Sequence, residues 1–108
     1  MKPTVEIVDN GVQALDTVKR MHGQGIEGAR IYVLAHEEKR TAHIADATDA
    51  QEIDIAEEGM FRSLANIFRS RGDELRSKLE SVGLTEEEAN HYEEVLDQGK
   101  VLVIATAS

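Results

Sequence analysis

Apolar residues in this chain gather in three short segments, Thr4–Val8 (Val5, Ile7 and Val8 about Glu6), Ile31–Ala35 and Val101–Ala105, separated by longer stretches where they recur at helical spacing. The short runs are rich in Val and Ile and predict strands; the last has no polar alternation, which predicts burial on both faces. Asn10, with Gln13 three positions on, is a capping pair that predicts a helix through about His22, with Val12, Leu15 and Val18 on one side and Ala14 and Met21 beside them. Gly23, Gly25 and Gly28 then interrupt it before the second strand. A strand, a helix and a strand in this order predict a crossover between parallel strands.

The pattern is strongest in the last quarter. Thr85 with Glu88 forms a capping box that fixes a helix start; Ala89, Tyr92 and Leu96 follow at helical spacing, and Gly99 supplies a left-handed residue before the final strand. Between residues 36 and 59 two readings compete. In the preferred one, Thr41 caps a short helix carrying Ile44 and Ala45, and Glu52 to Ile55 forms a brief strand. In the other, Glu37 to Arg40 is a hairpin turn and Thr41 to Ala45 pairs back on the second strand. Phe61, Leu64, Ala65 and Phe68 then form an i, i+3, i+4, i+7 stripe that Leu75, Leu79 and Val82 continue. Gly72 costs up to about 1 kcal/mol inside such a helix and Asp73 can cap a new one, so continuity and a break near Arg71 to Asp73 both remain open; Gly83 ends the helix either way. The expected architecture is a single α/β domain over residues 1–108, a small three- or four-stranded, largely parallel sheet covered by helices, in the order strand, helix, strand, short element, helix, helix, strand.

Charge changes this picture by its distribution. The net charge is −9. Residues 46–59 carry six acids and no base, residues 60–84 five bases and three acids, and residues 85–108 six acids and Lys100. Such a field repels nucleic acid and anionic membrane, because both are bound by clustered Lys and Arg. No apolar run approaches the ~20 residues that span a bilayer, and the amino terminus lacks a signal-peptide pattern, so a cytoplasmic protein is expected. The absence of cysteine excludes disulfides and thiolate metal sites.

Gly23, Gly25 and Gly28 match G-x-G-x-x-G by letter, but a dinucleotide fingerprint places its glycines between a strand and the following helix. Here they follow a helix, at the end of its dipole that disfavours phosphate. Asp46 and Glu57 have the outer spacing of a calcium loop, yet Thr48, Ala50 and Gln51 stand where ligands and glycine are required. His36, His43 and Asp46 are the candidates for a metal or small ligand, since they follow the carboxyl end of a strand and His43 and Asp46 share a helix face at i, i+3. No catalytic residue and no cofactor is implied. Arg62, Arg69 and Arg76, with Arg71 and Lys78, form the one basic surface, a candidate site for an acidic protein partner or for self-association with the acidic helix Glu86 to Asp97 as a homodimer.

Several blocks together resemble one family: Ile31 to His36, Arg40-Thr41, Ala45-Asp46, Asn66-Ile67-Phe68, Gly72-Asp73-Glu74-Leu75-Arg76, Glu88-Ala89, and Leu96-Asp97-Gln98-Gly99-Lys100-Val101-Leu102. The chain resembles the bacterial general stress protein 17M family, with its heat-induced YflT-type domain, through nearly its whole length. The resemblance implies a small cytoplasmic protein raised in the general stress response. It supplies no catalytic residue to carry over.

Overall fold

A computed structural model describes residues 3–48, 50–52 and 71–106. The described elements are β1 (Thr4–Val8), α1 (Gly11–Gly23), a 3-10 turn at Gly28–Arg30, β2 (Ile31–Ala35), α2 (Glu38–Thr48), β3 (Gln51–Glu52), α3 (Arg71–Ser81), α4 (Glu86–Asp97) and β4 (Val101–Ala105). The stripe Phe61 to Phe68, the basic residues Arg62 and Arg69, and the stretch 53–55 of the expected brief strand lie outside the described residues.

The sheet order is β1-β4-β2-β3. This overturns the largely parallel sheet. β4 pairs antiparallel with both β1 and β2, each over five residues, and the sole parallel pairing described is the two-residue ladder of Tyr32 and Val33 with Gln51 and Glu52. β1 and β2 do run in the same direction, as a crossover through α1 requires, but they are not neighbours. The crossover rule governs the relative direction of two strands joined through a helix; it does not forbid a later strand from entering between them. β4 is the most apolar of the strands and takes the central position, where it is buried at every residue.

β4 also divides the core. Val101, Val103 and Ala105 point into one cluster with Ala14, Val18, Met21, Ile31, Val33, Ala35, Ile44, Ala45 and Ala50, so α1 and α2 cover that face. Leu102 and Ile104 point into the other, with Leu34, Leu75, Leu79, Leu84, Ala89 and Leu96 beneath α3 and α4. Period-two alternation in a wholly apolar strand thus feeds two cores.

Local details follow the capping signals. Asn10 accepts the Gln13 N–H at 3.0 Å, while the Gln13 side chain accepts the Asp9 N–H at 2.7 Å. The buried face of α1 is Ala14, Thr17, Val18 and Met21, and Val12 is 72% exposed in its first turn. This corrects the expected face, because the i, i+3, i+4, i+7 set that meets the sheet includes Thr17 and leaves out Val12. Both bonds of the Thr85–Glu88 capping box form, at 3.1 and 2.9 Å. Gly99 turns the chain from α4 into β4 at φ +91°, a conformation that glycine adopts without steric cost.

The segment after β2 is helical, so the hairpin alternative fails. Thr41, however, is not the cap: it sits inside α2, buried, with its hydroxyl directed at the end of β2. Gly72 is helical, within α3; whether the helix continues before Arg71 lies outside the described residues.

Candidate functional site

Val8, Val101 and Ala35 stand in line across the sheet, so the ends of β1 and β2 and the start of β4 lie at one edge. The loops that leave this edge carry Asp9, His36, Gly99 and Lys100. Arg40 in the first turns of α2 donates to the Gly99 carbonyl at 2.8 Å and to the Asp9 carbonyl at 3.4 Å, joining three chain segments. Arg71 of α3 donates to the carbonyls of His36 at 2.5 Å and Ala35 at 3.2 Å and pairs with Glu74 at 3.2 Å. The Thr41 hydroxyl accepts the Ala35 N–H at 2.9 Å and lies 3.2 Å from the Ala35 carbonyl. Carbonyls leaving a strand have lost their ladder partners, and charged donors are the strong way to satisfy them.

Two carboxylates complete the edge. Lys100 bonds to Asp9, and this ammonium, by hydrogen bond and by charge, holds the Asp9 carboxyl below the usual carboxylate range, with the Gln13 side chain adding to the effect. The His36 imidazole Nε2 stands 3.7 Å from an Asp97 oxygen.

The expected ligand trio is not brought together. His36 belongs to this edge, whereas His43 and Asp46 are exposed on α2. Among the described residues no group of three or more His, Asp or Glu is placed to hold a metal ion. Gly23 ends α1, Gly25 follows it and Gly28 opens the 3-10 turn before β2, the opposite polarity to a dinucleotide loop. Sequence reasoning does not single out Arg40 or Lys100 as site residues, and it places Arg71 on the basic surface and not at this edge. Arg40, Asp97 and Lys100 nevertheless sit in the blocks that carry the family resemblance, and that was the available signal; Arg71 lies just outside its block.

A second polar network joins α3 to α4. Arg76 pairs with Asp73 in its own helix and reaches Glu93 of α4 at 3.3 Å, and Lys78 pairs with Glu74 at 3.4 Å. A Cβ at position 72 would fall on the Glu93 carboxylate. Gly72 therefore leaves the space in which the Arg76–Glu93 pair crosses between helices, which gives the Gly-Asp-Glu-Leu-Arg block a structural sense.

Residues 3–99 match the family model for the heat induced stress protein YflT domain. The chain belongs to the YflT domain family. It is also 41% identical over 106 residues to General stress protein 17M of Bacillus subtilis (strain 168), a match that covers 98% of this chain and 92% of that protein. No solved structure matches the chain. The family match ends at Gly99, so the central strand β4 lies beyond it, while every loop of the polar edge except Lys100 lies within. Among the described residues of this YflT-domain chain, no helix is long and apolar enough to cross a membrane.

Proposed function

We propose that this YflT-domain protein is a cytoplasmic stress protein that acts by binding an acidic protein partner through Arg62 and Arg69. Its family description names a stress response and not a reaction. The observation that carries the reading is a charge balance. In residues 71–84 the three bases Arg71, Arg76 and Lys78 are matched by the three acids Asp73, Glu74 and Glu80, and all three bases pair with acids of their own chain. The positive excess of residues 60–84 thus rests on Arg62 and Arg69. Arg76, the third residue of the expected surface, is engaged between Asp73 and Glu93 and serves the α3–α4 contact. Rim charges of this kind steer association and set specificity.

The test compares two charge reversals by cross-linking in heat-stressed cells. Arg62→Glu with Arg69→Glu removes the cross-linked partner and leaves the unfolding midpoint in place, whereas Arg76→Glu lowers the midpoint. Retention of the same partner by the double variant overturns the proposal.

A further inference from the structure

β1 forms the outer rim of the sheet: it pairs with β4 on one side, and among the described residues nothing pairs with the other. Edge strands of soluble proteins are usually blunted by bulges, by proline or by a charge, because an open ladder recruits another strand. The β1–β4 register runs through five consecutive pairs without a bulge. Pro3 precedes the strand, and the single charge within it, Glu6, is neutralised by Arg20 of α1 at 2.5 Å. Four of the five residues, Thr4, Val5, Ile7 and Val8, are β-branched, and such side chains favour pairing across strands. Ile7 is 47% exposed, one of two large apolar side chains so exposed among the described residues.

We propose that β1 pairs antiparallel with β1 of a second copy about a two-fold axis at Glu6, joining two sheets into one continuous eight-stranded sheet. The sequence of the strand is what selects a second copy. With Glu6 opposite its own mate, Val5 meets Ile7 and Thr4 meets Val8, so that all five residues pair and apolar positions lie on one face with apolar positions. A slip by one residue places the apolar face of one strand against the charged face of the other. Two Glu6 carboxylates at the axis would repel, but each brings its own Arg20, so the four charges neutralise one another. On a chain of net charge −9, this is a strip where two copies meet without excess negative charge. The contact is isologous and closes at the dimer. It uses neither Arg62 nor Arg69 and stands apart from the partner-binding proposal.

Sedimentation velocity on the purified full chain, between about 1 μM and about 1 mM, tests it, since mass action converts the 11.9 kDa monomer to a dimer of twice that mass as concentration rises. Arg20→Glu places uncompensated acids at the axis and abolishes the dimer. The exchange Glu6→Arg with Arg20→Glu restores it, because the charges again neutralise. Circular dichroism establishes that each variant is folded; Arg20 is more than half exposed, so its substitution leaves the core intact. A monomer at every concentration, a species that grows beyond the dimer, or a dimer indifferent to Arg20→Glu overturns the proposal.

Discussion

The Thr41 hydroxyl accepts the backbone N–H of Ala35 at 2.9 Å, binding the interior of α2 to the last residue of β2. Both residues are buried, and the same hydroxyl lies 3.0 Å from the Glu37 carbonyl. Replacing it with a methyl of the same shape strands a buried donor at the end of the strand. Thr41→Val is therefore expected to destabilise the domain by about 1–3 kcal/mol, and Thr41→Ser, which keeps the hydroxyl, by less. Urea unfolding of the three proteins checks this. Equal midpoints for Val and wild type would show that the bond contributes nothing.

Gly72 and Glu93 are coupled through space. Alanine is ordinarily better than glycine inside a helix by about 0.5–1 kcal/mol, yet a Cβ here displaces the Glu93 carboxylate from Arg76. The expected outcome is that Gly72→Ala gives little or no gain in the wild-type protein and the full gain of up to about 1 kcal/mol once Glu93 is already Ala. A double-mutant cycle measured by thermal unfolding reads the difference; additive effects would disprove the coupling.

How far the sequence reveals this fold depends on whether the signal is local. The capping box at Thr85, the capping pair at Asn10 and Gln13, and the three apolar strands are written in adjacent residues, and the structure keeps each of them. Strand order is not local. Val101 pairs with Val8 on one side and Ala35 on the other, partners more than 60 residues away, and no adjacent residue encodes that choice. The same limit applies to the polar edge. His36 draws notice as a histidine after a strand, but its neighbour Asp97 and the Arg71 that binds its carbonyl come from helices far along the chain. Thr41 is legible as a capping residue type, but its partner, Ala35, is set by the packing of α2 against β2.

The Thr85–Glu88 capping box makes a separate quantitative expectation. Thr85→Ala removes the acceptor for the Glu88 N–H and is expected to cost about 1 kcal/mol, with Thr85→Asp or Thr85→Ser close to wild type. Because α4 covers the cluster that holds Leu102 and Leu96, the loss appears in global unfolding and not merely as fraying. Hydrogen exchange at Ala89 and neighbouring amides distinguishes the two. Faster exchange in the first turn alone, with unchanged global stability, would confine the cap to a local role.

Asp9 and Lys100 join the ends of β1 and α4 at the surface, and their pairing has a pH signature. The folded protein holds Asp9 below its ordinary value of 3.8, chiefly through the Lys100 hydrogen bond and charge, so folding favours the ionised carboxylate. The stabilisation is present above the unfolded value and disappears as pH falls through the lower folded value, since below it both states bind the proton. The difference in stability between wild type and Asp9→Asn is therefore expected to be steady from neutral pH down to about 5 and to shrink towards about pH 2. Because Asp9 is exposed, 1 M salt should reduce the same difference. Lys100→Met supplies the direct check: the Asp9 carboxyl resonance, followed by NMR titration, moves up towards 3.8. A titration unchanged by that substitution would mean that Lys100 is not what holds the carboxylate ionised.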